Sequence, residues 1–142
     1  MISLVLVGHS PELLRALQVM VAQSAPQVPV ATAGGTAMGR LGTSSPAIHD
    51  ALRAALAASG GDGAVVLLDL GSAVLALEMA LDELAPVERA LVRVSEGPLV
   101  EGAVRAAVEA SGGASLERVL AVADAERTAG KLPPNWHSGA AP

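Results

Sequence analysis

His9 and Asp69 are the side chains in this sequence most readily combined into a group-transfer site. His9 follows the apolar run Ile2 to Val7, and Asp69 comes near the end of a second run, Ala64 to Leu70. A carboxylate that accepts from one imidazole nitrogen fixes the tautomer and leaves the other nitrogen as a lone-pair nucleophile or base. Directly behind His9, Ser10-Pro11-Glu12 carries the signals of a helix start. Ser10 can act as N-cap, Pro11 suits the first helical position, and Glu12 places an acid in the first turn. Such a start favours an anion set against it and disfavours positive charge on the ring. A free imidazole lone pair beside an anion pocket is what a phosphoryl acceptor needs.

Other polar groups could complete that pocket. The stretch Gly34 to Ser45 combines glycines with Thr43, Ser44 and Ser45. Gly35 allows close backbone approach, and the hydroxyls and amides of Thr43 and Ser44 can donate to an oxyanion. Gly34 and Gly39 have P-loop spacing, but Arg40-Leu41 replaces the lysine and the magnesium-binding hydroxyl, so nucleotide binding by that route is rejected. Gly71 and Ser72, just after Asp69, offer a second helix start. A serine hydrolase built from Ser10, Ser44 or Ser72 is disfavoured, because none of these serines lies in a G-x-S-x-G elbow. His49 lies mid-helix beside Asp50 and reads as solvated, while Trp136 and His137 fall in the C-terminal tail. No His-x-x-x-His or carboxylate cluster has metal spacing. No metal and no cofactor is expected on this chain.

The elements that must hold these groups alternate along the chain. Strands are expected over Ile2–Val7, Val28–Ala33, Ala64–Leu70 and Ala90–Val94. Between and after them come helices over about Pro11–Ala25, from Pro46 with Ser45 as N-cap, from Gly71-Ser72, from Pro98, and from Ser115. The inward stripes are expected to include Leu13 and Met20 on the first helix, Leu75 and Met79 on the third, and Val100, Val104 and Val108 on the fourth. Alternation of this kind predicts an α/β fold: three layers, a doubly wound and mainly parallel sheet, helices on both faces. Pro29 puts the second strand at an edge. The continuous apolar first and third runs read as central. Strand order 2-1-3-4 satisfies both, and its switch point lies between strands one and three, where His9 and Asp69 end their runs.

Composition narrows the function classes. At 142 residues the chain is expected to form one domain over about residues 1–130, with 131–142, rich in Pro, Gly and small residues, as a flexible tail. A net charge of −5 without a basic run argues against nucleic-acid or anionic-membrane partners. With no cysteine, disulfides and thiolate catalysis are excluded. The opening apolar run is too short for a membrane span, so a cytoplasmic protein is the expectation.

Five stretches carry a family resemblance: Gly8-His9-Ser10, Ala33-Gly34-Gly35, Gly42-Thr43-Ser44, Leu67-Leu68-Asp69-Leu70-Gly71-Ser72-Ala73 and Pro98-Leu99-Val100-Glu101-Gly102-Ala103. In this order, from Met1 to about Arg127, the chain resembles the phosphotransferase subunits of PEP-dependent dihydroxyacetone kinases, the DhaM family. These are relatives of the mannose-type enzyme IIA domains of the sugar phosphotransferase system. The resemblance implies that His9 takes a phosphoryl group from the carrier protein HPr. His9 would pass it to ADP held on a DhaL subunit, and DhaL would phosphorylate dihydroxyacetone on DhaK. Magnesium would belong to that ADP/ATP on the partner. Asp69 matches the family's histidine-orienting aspartate, and the resemblance implies a homodimer. Some members continue into HPr-like and enzyme I-like domains, so this chain is expected to use separate donors. Glu96 stands where small apolar residues are more usual, which puts the charge at the pocket rim in question. By physics alone, a sugar-uptake relay, or a regulatory module that binds an anion or small ligand without a covalent step, fits the same residues. If a relay operates, Nε2 is the expected phosphorylated nitrogen, since Asp69 should engage the other.

Overall fold

A computed structural model describes residues 1–136; His137 and the end of the expected tail lie outside the described residues. Four strands, β1 (Ser3–Gly8), β2 (Val30–Gly34), β3 (Ala64–Leu68) and β4 (Val92–Val94), form one sheet in the order β2-β1-β3-β4. All three pairings are parallel. The register sets Gly8 opposite Gly34 and Val7 opposite Leu68, so β1, β2 and β3 end together on one side. The doubly wound fold with strand order 2-1-3-4 is the observed one.

Among the described residues, six helices flank the sheet: α1 (Pro11–Ser24), α2 (Ser45–Ala58), α3 (Val74–Asp82), the single-turn α4 (Pro86–Arg89), α5 (Leu99–Ser111) and α6 (Leu116–Ala125). A 3-10 turn, Gly71–Ala73, leads into α3. Alternation along β1 divides the interior into two cores. Leu4 and Leu6 pack with Val65, Leu67 and the inner faces of α1, α5 and α6. Val5 and Val7 pack with Val66 and the inner faces of α2 and α3. Each such aliphatic side chain, fully buried, contributes roughly 1.5–3 kcal/mol, which compensates for the near absence of aromatics.

Several sequence expectations need correction. Strand β2 begins at Val30, two residues later than expected, and runs to Gly34. The N-cap of α2 is Ser44, whose Oγ accepts from the Ala47 amide at 3.3 Å; Ser45 is already helical. Leu13 and Met20 on α1, Leu75 and Met79 on α3, and Val100 and Val108 on α5 are exposed. The buried positions of α5 are chiefly alanines with Gly102, where a Cβ would meet Leu67 Cδ2 at 2.6 Å. Small residues let this helix approach the sheet more closely than valines would, so the smaller stripe faces in. On α3 and its neighbouring turn the inward residues are Ala73, Leu77, Ala80 and Leu81.

Candidate active site

The site lies at the carboxyl ends of β1 and β3, on either side of the switch point. Asp69 follows β3 directly, and its amide donates to Val7 O at 3.1 Å, which continues the ladder one residue past the strand. The residue is thereby held beside His9. The His9 Nδ1–H donates into the carboxylate, 3.0 Å from each oxygen. Oδ2 also accepts the His9 backbone N–H at 2.9 Å, and Oδ1 accepts the Leu70 amide at 2.6 Å. Backbone and ring of one residue are therefore gripped by a single carboxylate, which the sequence did not foretell.

Close approach depends on Gly8. A Cβ there would lie 2.8 Å from Asp69 Oδ2 and 2.9 Å from its Cγ, so any side chain would push the carboxylate off the ring. With Nδ1 bonded to Asp69, the lone pair resides on Nε2. Ser72 Oγ lies 3.0 Å from Nε2 and can donate to it. The histidine side chain is 25% exposed and the aspartate 9%. The aiming group is buried while the reactive edge is open.

The remaining candidates divide by what their donors already do. Ser10 caps α1, accepting from the Leu13 amide at 3.2 Å, and its hydroxyl donates to Glu12 at 3.2 Å. Hydrogen bonds from the Glu12 backbone amide and then from Ser10 hold the Glu12 carboxyl below its ordinary range. Gly35, at φ +85°, gives its amide to Gly8 O at 3.4 Å. Ser44 is occupied as the α2 cap. Thr43 is half-buried in the loop that ties back to the site through Gly42 N–H to His9 O at 3.0 Å. Gly71 and Ser72 open the 3-10 turn, and among the described residues their amides have no backbone partner. The turn that carries Ser72 is thus the part of the rim with donors to spare. Glu96 lines a cavity of about 660 Å³ beside Asp69, where it pairs with Arg127. Its charge is therefore neutralised locally. His49 lies on α2 with its Nδ1 4.0 Å from Asp50, away from these groups.

Fold and site define the class: a doubly wound α/β domain with a histidine aimed by an aspartate at the switch point. The family model described as the PTS system fructose IIA component, EIIA-man, matches residues 3–120, and the chain belongs to that family. Within it, the chain is similar to subunits named DhaM. It is 36% identical to the phosphoryl donor subunit DhaM of PEP-dependent dihydroxyacetone kinase 2 from Listeria innocua, over 84% of this chain and 94% of the relative. Identity is 34% to the phosphoryl donor subunit DhaM of Escherichia coli, again over 84% of this chain but only 26% of the relative, so the chain spans about a quarter of that protein. Among solved structures, EF1359, described as a protein of unknown function, superposes with a TM-score of 0.77 at 32% identity, covering 92% of this chain and 96% of the other.

Proposed function

We propose that this chain is a phosphohistidine relay, the phosphoryl donor subunit of a PEP-dependent dihydroxyacetone kinase. The observation that carries the reading is the state of one ring: Nδ1 is held by Asp69 and Nε2 is open, with Ser72 beside it. The Nε2 lone pair attacks the phosphorus of the donor, HPr. An N–P bond forms as the donor's bond to phosphorus breaks, and the released electron pair stays on the donor. Ser72 turns its hydroxyl from the ring to a phosphoryl oxygen, and the amides of Gly71 and Ser72 share the charge. Ser10, Gly35, Thr43 and Ser44 shape the rim, chiefly through the helix starts and the turn they build. In the second step a terminal oxygen of ADP on DhaL attacks, and the N–P electron pair returns to Nε2. ATP formed there phosphorylates dihydroxyacetone on DhaK.

Nothing in this chemistry asks a cofactor of this chain; magnesium travels with the partner's nucleotide. Residues 1–130 form the phosphotransferase domain, and the protein acts in the cytoplasm as a homodimer. Among the described residues no helix is long and apolar enough to cross a membrane.

The experiment mixes the protein with PEP, enzyme I and HPr, then adds DhaL with ADP, DhaK and dihydroxyacetone. Acid-labile phosphate on this chain, followed by dihydroxyacetone phosphate that requires it, is the expected result. Product formed at the same rate without the chain would refute the reading.

Gly8 supplies a separate prediction. Gly8→Ala will displace the Asp69 carboxylate by several tenths of an ångström and slow phosphoryl acceptance by about 100-fold, since small misplacements near a reacting atom carry penalties of that order. Stopped-time phosphorylation of the variant, with circular dichroism as a check on folding, measures it.

A further inference from the structure

A phosphoryl group on Nε2 brings negative charge to a place that already holds some. Asp69 sets its carboxylate against the ring. The arginines beside the neighbouring acids are spent, Arg15 on Glu12 at 3.8 Å and Arg127 on Glu96. On the β3 side the group meets neutral donors, the Ser72 hydroxyl and the amides of the Gly71–Ala73 turn. Such donors orient phosphoryl oxygens, but they carry no full charge to set against them.

The sheet order puts a different element on the other flank. Strand β1 lies between β2 and β3, so the loop that follows β2 stands across His9 from the turn that follows β3. That loop is held in shape by Thr36. Its Oγ1 accepts the amides of Met38 and Arg40 at 3.3 and 3.2 Å, and its N–H donates to Arg40 O at 2.8 Å. Gly42, at φ +142°, packs so closely that a Cβ there would lie 2.7 Å from Thr36 Cγ2. The Gly42 N–H donates to His9 O at 3.0 Å. Arg40 therefore has its backbone fixed two residues from the contact with His9, a span of about 7 Å at most even in extended chain.

Its side chain, by contrast, is unengaged. Among the described residues Arg40 is the one arginine or lysine whose side chain has neither an ion pair nor a hydrogen bond. Arg53, Arg93, Arg105, Arg118 and Lys131 have carboxylates, and Arg89 donates to Val92 O. On a chain of net charge −5, a cation left unpaired beside the reacting ring is suited to an anion that arrives only during turnover.

We propose that Arg40 is a catalytic residue of the relay: its guanidinium closes on the phosphoryl oxygens as phosphorus passes to Nε2 of His9, and holds them while the group stays there. This rests on the relay reading above and supplies the cation that reading lacks. Arg40 gives and takes no proton, since a guanidinium stays charged throughout. It works from the β2 side while Ser72 works from the β3 side.

The test compares Arg40→Gln with Arg118→Gln, which makes the same charge change on α6, where Arg118 pairs with Glu109 at 2.8 Å. Each protein is labelled by HPr that enzyme I and PEP have phosphorylated, and separately by phosphoramidate. With the small donor, Nε2 bonds to phosphorus, the donor's P–N bond breaks, and its electron pair leaves with ammonia. Arg40→Gln is expected to slow both reactions about 10-fold or more, the scale of a lost hydrogen bond between charged groups. Phosphorus-31 NMR of the labelled proteins adds a second readout. Without the guanidinium the last ionisation of the phosphoryl group should move up by about one pH unit, and Arg118→Gln should match the wild type in every measurement. Equal rates for Arg40→Gln and wild type would overturn the proposal, as would an ionisation that does not move. So would a defect seen with HPr alone, which would place Arg40 on the carrier rather than on the phosphoryl group. Wild-type protein that takes label from neither donor would instead remove the relay reading itself.

Discussion

Asp69→Asn will accept phosphoryl groups about 100- to 10,000-fold more slowly than the wild type, the range over which a positioned acid–base group acts. The carboxylate accepts from three donors, the His9 amide, the His9 ring and the Leu70 amide. An amide of the same shape keeps one oxygen acceptor and turns an NH2 toward the others. One backbone N–H loses its partner, and Nδ1 is invited to accept a hydrogen bond. The proton then moves to Nε2, where it occupies the lone pair that must attack. The stability cost is smaller, about 1–3 kcal/mol for an unpaired group, so the variant stays folded and the rate carries the signal. Single-turnover labelling beside a thermal melt separates the two effects. A rate within threefold of wild type would mean that Asp69 only holds the backbone.

Removing the acceptor has the larger effect. His9→Gln will carry no acid-labile phosphate, because no other described side chain presents a nitrogen at that place. It should still fold, since His9 contributes no apolar packing to either core. Intact mass after labelling reads the result directly, and stoichiometric phosphate retained in the variant would move the chemistry to another residue.

The site was legible in the sequence because its two main residues are polar interruptions at the ends of buried runs. Pro29 and the unbroken apolar character of the third run gave the strand order, and that order alone brought His9 and Asp69 together. What escaped was of two kinds. Helix faces were misjudged wherever alanine competes with a larger residue. Leu75, Met79, Val100 and Val108 look like core by hydrophobicity, yet Ala80, Ala103 and Ala106 take the inside by size. The choice between Ser44 and Ser45 as cap was also beyond spacing. Both precede Pro46, and the structure places the proline at the second helical position, with the Ala47 amide turned to Ser44.

Three-dimensional contacts account for the rest. The double use of Asp69 by ring and backbone, the Ser72 contact to Nε2 and the Glu96–Arg127 pair join residues far apart in the chain. No local pattern encodes them. Leu75 was misread as core for a related reason: an apolar side chain in sequence looks the same whether it faces a core or solvent, and only the fold tells which.

Nitrogen-15 NMR of the histidine rings, recorded before and after phosphorylation, tests the central claim most directly. A phosphorus coupling is expected at Nε2 of His9, with Nδ1 still protonated and bonded to Asp69. Phosphorus at Nδ1, or a His9 ring unchanged while the protein carries label, would contradict it.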